Sequence, residues 1–172
     1  LIWRSFVSKT PALLMQSFKS FVLPMIDYCS QVWSPYHVQD ILLIESVQRS
    51  FTKRIPSLRN LTYAERLLTL NLYTLERRRL MSDLVLCFKI LRGFIGGPPE
   101  AYGLVLSKRR SRGHSLKLVT IQARLDVRKF FFAARVCGPW NSLSEEMVTA
   151  SSVKKFKDGL CNANLTEFLI IN

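Results

Sequence analysis

Apolar residues recur at helical spacing through the first half of the chain. Thr10 followed by Pro11 reads as an N-cap with proline in the first turn, and Leu14, Phe18, Phe21, Met25 and Cys29 then follow at intervals of three and four, the spacing of one helical face. Pro24 falls inside that run and predicts a kink or break, because it removes a backbone donor. Ser34 and Pro35 close the segment. Over 39–55 a second helix is expected, with Ile41, Ile44, Val47, Phe51 and Ile55 inward and Arg49 and Lys53, four residues apart, toward solvent. Thr62 and Glu65 have the spacing of a capping box for a short helix, and Thr74 is placed to cap a long one over 74–92 whose inner stripe is Leu80, Leu84, Cys87 and Leu91. Successive helical residues turn by about 100°, so Arg77, Arg78 and Arg79 cannot all face one ligand.

The pattern changes after that helix. Gly93, Gly96, Gly97, Pro98 and Pro99 punctuate the chain, so 93–106 reads as a linker between a helical domain over 1–92 and an extension over 107–172. Residues 107–113 form a basic turn, and 116–121 alternate loosely with β-branched members, which predicts a short strand or hairpin. The apolar run 130–136 fits either a strand or a buried helix. Trp140, after Pro139, reads as a core anchor, and Ser151 or Ser152 would cap a last helix through residue 160. The fold class expected is therefore mainly α: a helical bundle followed by a smaller α+β C-terminal extension.

Composition narrows the partners. In 172 residues, 48% are hydrophobic, enough for a sizeable core, which removes disordered and low-complexity classes. Lys and Arg number 25 against 12 Asp and Glu, a formal net charge of +13 that calls for a polyanionic partner, nucleic acid first. Residues 1–92 hold 13 basic and 6 acidic side chains, 93–129 hold 8 and 2, and 130–172 hold 4 and 4, so the excess lies before Phe130. A chain this basic and this apolar reads as part of a larger assembly or polypeptide. No stretch is long and apolar enough to span a membrane, and Cys29, Cys87, Cys137 and Cys161 stand far apart without a paired spacing, so neither a membrane nor a zinc site is expected and an intracellular setting, nucleus or cytoplasm, fits best.

Catalytic chemistry leaves no trace in the pattern. Glu145 and Glu146 are adjacent, diverge on a helix and suit its acidic first turn, while the Gly96-Gly97-Pro98 stretch lacks the spacing and lysine of a phosphate-binding loop. The chain is not expected to be an enzyme by itself, nor to use a cofactor or metal. What remains is cationic: Arg49, Lys53 and Arg54 on one helix, Arg77 and Arg78 on the next, and Lys108, Arg109, Arg110, Arg112 and Lys117 in and beyond the basic turn. Four cations in five positions repel one another until phosphates supply counter-charge. His114 reads as an ordinary loop residue. Trp33, Tyr36, Tyr63 and Tyr73 lie beside helix boundaries and read as closing the core rather than stacking on bases.

Several stretches together resemble a known family. The run from Leu13 to Leu91, above all Asp27-Tyr28-Cys29-Ser30 with Trp33 and Val47-Gln48-Arg49, is similar to the region after the palm in reverse transcriptases of non-LTR retrotransposons of the jockey and chicken-repeat type. The likeness continues through RGHSLKL, LDVRKFFFAARV and PWNSLSEEMVTASSVKKFK, the last including Trp140-Asn141-Ser142-Leu143. It implies the thumb and post-thumb part of an RNA-directed DNA polymerase, which grips template–primer duplex beside an upstream palm and fingers that carry the catalytic carboxylates. No Asp-Asp pair occurs in this chain. Two departures from the family stand out: Gly138 and Pro139 are expected to interrupt the helix leading into the Trp-Asn motif, and Ser144 stands where relatives commonly have Pro. The function expected is a non-catalytic module binding RNA, an RNA–DNA hybrid or DNA. The alternative is a domesticated or remnant fragment serving as a structural subunit of a larger ribonucleoprotein assembly.

Overall fold

The computed structural model describes residues 7, 10–108 and 113–171. It is mainly helical, and it divides into two compact units, one running to Arg78 and also holding Ile171, the other running from Arg79 to Ile170. The division falls inside a long helix and not at the Gly/Pro stretch. Residues 93–106 belong instead with the second unit, where Leu104 is fully buried in the core and Ile95 and Tyr102 pack against it.

In the first unit, α1 (Pro11–Ser17) starts at Thr10, whose hydroxyl accepts from the Leu13 N–H, as the Thr-Pro pair predicts. The expected single face then fails. A π-helical turn over Phe18–Val22 precedes α2 (Leu23–Asp27), and the wider turn rotates everything beyond it. Leu14 and Phe18 are buried as the spacing predicts, but Phe21 and Met25 are 62% and 81% exposed, and Leu23 and Ile26 pack into the core in their place. Pro24 supplies the physical reason, because a regular α-turn would press its ring against the carbonyl of Ser20 and leave that carbonyl unbonded. Cys29, the last member of the expected stripe, is exposed and sits at φ +50° between α2 and α3 (Ser30–Trp33).

Helix α4 (Val38–Lys53) follows, then a 3₁₀ turn at Pro56–Leu58, and α5 (Tyr63–Thr69), which begins with the predicted capping box between Thr62 and Glu65. The Thr62 N–H and hydroxyl both donate to the Glu65 carboxylate, which holds that carboxyl below its ordinary range. Phe18 stacks on Phe51 at 4.5 Å, and Ile55, Leu58 and Leu75 complete the core of this unit. Helix α6 (Leu75–Leu91) starts in the first unit, with Arg77 N–H donating to the Thr74 hydroxyl, and continues into the second.

The second unit is helical as well, which removes the expected α+β extension among the described residues. The 105–119 region holds one antiparallel bridge, Leu106 to Leu118, with Ser107 N–H donating to Lys117 O and Val119 N–H to Val105 O, and the pairing goes no further. Gly113 turns at φ +102° and much of the 115–121 backbone is bonded by side chains instead of by a neighbouring strand. After the single turn α7 (Asp126–Lys129), the ambiguous apolar run becomes a helix, α8 (Phe132–Ser142), which passes without a break through Gly138 and Pro139. The expected interruption does not occur. A proline at that point costs the helix one hydrogen bond, and the burial of Ala133, Val136, Cys137 and Trp140 on the same helix outweighs it. The short α9 (Glu145–Val148) and α10 (Val153–Asn162), capped by Ser152 as expected, close the unit. Trp140 and Phe156 are fully buried and Phe88 stacks on Phe156 at 4.3 Å, so Trp140 is a core anchor as read. No helix among the described residues is long and apolar enough to cross a membrane.

Candidate nucleic-acid interface

The centre of the first unit is polar, which the hydrophobic pattern of α4 conceals. Glu45, Gln48 and Thr52 are completely buried on that helix, while Leu42, Leu43 and Val47 are exposed. The spacing places Val47 inward, and it is displaced because its helix turns an ordered set of hydrogen bonds toward α5 and the start of α6. One Glu45 oxygen accepts from the Tyr63 hydroxyl and the other from the Leu75 N–H, the first free donor of α6, at 2.9 Å. Gln48 donates through Nε2 to Tyr63 Oη at 3.0 Å and to Tyr73 O at 2.9 Å. Burial, and then the adjoining Glu45 carboxylate, push the Tyr63 phenol far above its ordinary range.

Arginines stand on the two tyrosine rings. Arg49 Cζ lies 4.8 Å from the Tyr63 centroid and Arg66 Cζ 5.6 Å from it, and Arg77 Cζ lies 4.8 Å from the centroid of Tyr73. Both tyrosines are half-buried, as a boundary role requires, and each has a bonded polar edge and a ring under a guanidinium. The fold thus brings together Arg49 and Arg77, which the sequence singles out, with Arg66, Glu45 and Gln48, which it does not. A signal for Arg66 is present in the sequence: it sits three residues beyond Tyr63 on a capped helix, so the two share a face.

The other expected contacts are dispersed. Lys53 and Arg54 are exposed at the C-terminal end of α4, one turn beyond Arg49, and none of the three has an ion-pairing carboxylate among the described residues. Arg78 is paired with Asp27, so the Arg77-Arg78-Arg79 triplet splits as its geometry demands: one on a ring, one in an ion pair, one buried. Lys108 is exposed, and Arg109, Arg110 and Arg112 lie outside the described residues. Lys117 is half-buried with its ammonium donating to the Asn141 carbonyl, an internal engagement instead of an open contact.

That lysine belongs to a clasp in the second unit. His114, 2% exposed, sits with Nε2 2.9 Å from the Trp140 carbonyl; Trp140 Nε1 donates to Leu116 O at 2.8 Å; and Asn141 pairs with the backbone of Leu118. The Ser115 N–H and hydroxyl both donate to Glu145, holding that carboxyl below its ordinary range. Glu145 does open a helix, but its carboxylate is turned to this loop. His114 is a structural residue whose burial lowers its pKa. Deeper in the unit, Arg135 grips the buried Asp83 through Nε at 2.8 Å and Nη2 at 3.0 Å.

No protein-family model, curated protein or solved structure matches the chain.

Proposed function

We propose that this chain is a non-catalytic, sequence-tolerant nucleic-acid-binding module: the thumb and C-terminal extension of a non-LTR retrotransposon reverse transcriptase, gripping the phosphates of a template–primer duplex while an upstream palm makes bonds. The observation that carries it is the surface of α4, where Arg49, Lys53 and Arg54 follow one another without an acidic partner and Arg49 continues onto the arginine-bearing Tyr63. Phosphate contacts fix position on a duplex without reading bases, and an A-form or hybrid duplex is held through its shape and backbone. The net charge of +13 adds to the attraction over distance.

The test is the affinity of the chain for an RNA–DNA hybrid across a salt series. A straight decline of log affinity with log salt is expected, and replacing Arg49, Lys53 and Arg54 with Gln lowers its slope by about 0.7 to 0.9 for each phosphate no longer neutralised. Absence of binding at low salt, or a slope the triple substitution leaves unchanged, overturns the reading.

A second reading has its own observation. Phe21, Met25, Tyr28 and Val32 are each more than 60% exposed within twelve residues of chain, which suits a surface covered in an assembly. In that reading the fragment is a recruited structural subunit. It then aggregates when purified alone and becomes monodisperse only with its neighbour, whereas a self-sufficient duplex binder is monodisperse throughout.

A further inference from the structure

Arg66 is 4% exposed, on a helix whose other inward residue is Leu67. A guanidinium carries five N–H donors and does not lose its proton in proteins, so a buried one needs acceptors and counter-charge. The fold provides little of either. Nη1 donates to Leu61 O at a long 3.4 Å, the Tyr63 ring lies under the group, and Nε is buried with no hydrogen-bond partner. No carboxylate stands within ion-pairing distance among the described residues.

Arg49 faces the same ring from an exposed position, also without a carboxylate. The one acid in the cluster, Glu45, has both oxygens committed to Tyr63 and Leu75. Two guanidinium charges and one carboxylate therefore surround Tyr63, leaving one positive charge uncompensated and the buried Arg66 Nε–H without an acceptor. A carboxylate ligand offers two oxygens in one plane. A phosphate offers three or more in a tetrahedron, which suits two guanidiniums on separate helices.

We propose that Arg66 and Arg49, held on Tyr63, form a binding site for a single phosphate group. Arg66 supplies the desolvated, fixed donors and Arg49 the outer, movable ones. The site stands on its own geometry; that its phosphate comes from a nucleic-acid backbone, and not from a free phosphate, rests on the function proposed above.

The experiment follows the side-chain Nε–H resonance of Arg66 by NMR in the full chain. Two probes are titrated at constant ionic strength, inorganic phosphate and a short RNA–DNA hybrid. Both are expected to shift the Arg66 signal, with phosphate displacing the hybrid from it. Arg66→Gln is expected to raise the apparent Kd for phosphate at least tenfold and Arg49→Gln by a smaller factor. An Arg66 signal unmoved by either probe overturns the site, and if the hybrid still binds, the nucleic-acid reading survives it. A signal moved by phosphate while the hybrid does not bind keeps the site and removes that reading. Should Arg66→Gln unfold the chain, the wild-type titration and Arg49→Gln decide alone.

Discussion

Asn141 holds Leu118 by both ends of its amide: Nδ2 donates to the Leu118 carbonyl at 2.9 Å and Oδ1 accepts from the Leu118 N–H at 2.8 Å. A side chain thereby does for this segment what a neighbouring strand would do, and the expected hairpin shrinks to one bridge. Replacing Asn141 with Leu leaves two backbone groups of a buried residue without partners, which costs about 2 to 4 kcal/mol. Urea unfolding measures it. Asn141→Asp, which keeps the acceptor and loses the donor, is expected to fall between the two.

Acid should loosen the same clasp. Burial depresses the His114 pKa below its ordinary 6.5, so the unfolded chain binds the extra proton more readily than the folded one. Stability from this group is complete above pH 6.5 and is lost as pH falls through the depressed value. Glu145 is also depressed, from 4.5, and its contribution is lost in a lower window as its bonds to Ser115 fail. Unfolding midpoints taken from pH 7.5 to 5.5 should decline in the wild type and flatten in His114→Gln, compared as slopes after each variant's own loss of stability.

Asp83 and Arg135 form the most enclosed ion pair among the described residues, with side chains 3% and 18% exposed. Burial raises the Asp83 pKa, against the lowering effect of Arg135. Arg135→Met strands a buried carboxylate and is expected to cost about 3 to 5 kcal/mol, while the double change with Asp83→Leu recovers most of it. A double-mutant cycle in urea decides the point, and equal losses in the single and double variants would contradict it.

The four thiols should divide evenly. Cys29 and Cys161 are exposed, Cys87 and Cys137 buried, and burial raises both inner thiol pKa values. Mass spectrometry after brief alkylation should find two modified cysteines in the native chain and all four after denaturation.

Local chemistry is legible in the sequence, and tertiary exchange is not. The capping box at Thr62 and Glu65, the caps at Thr10 and Ser152 and the anchor at Trp140 are readable because each depends on a few adjacent residues or on bulk alone. Glu45 and Gln48 are hidden because partners that justify their burial, Tyr63, Tyr73 and Leu75, lie 15 to 30 residues away. The same separation hides Lys117, which reads as a phosphate contact and instead donates to Asn141, 24 residues on. The tyrosines stand at boundaries as their positions suggest, but their service as platforms for Arg49, Arg66 and Arg77 emerges only when three helices meet.

The wide turn before Pro24 makes this stretch sensitive to length rather than to composition. Removing one residue between Phe18 and Leu23 would make the wide turn an ordinary one and keep Leu23 and Ile26 inward, whereas a regular helix of the present length would carry Phe21 and Met25 into the interior and put Leu23 and Ile26 in water. Whether the turn absorbs its extra residue decides which set of greasy groups the molecule shows to its surroundings.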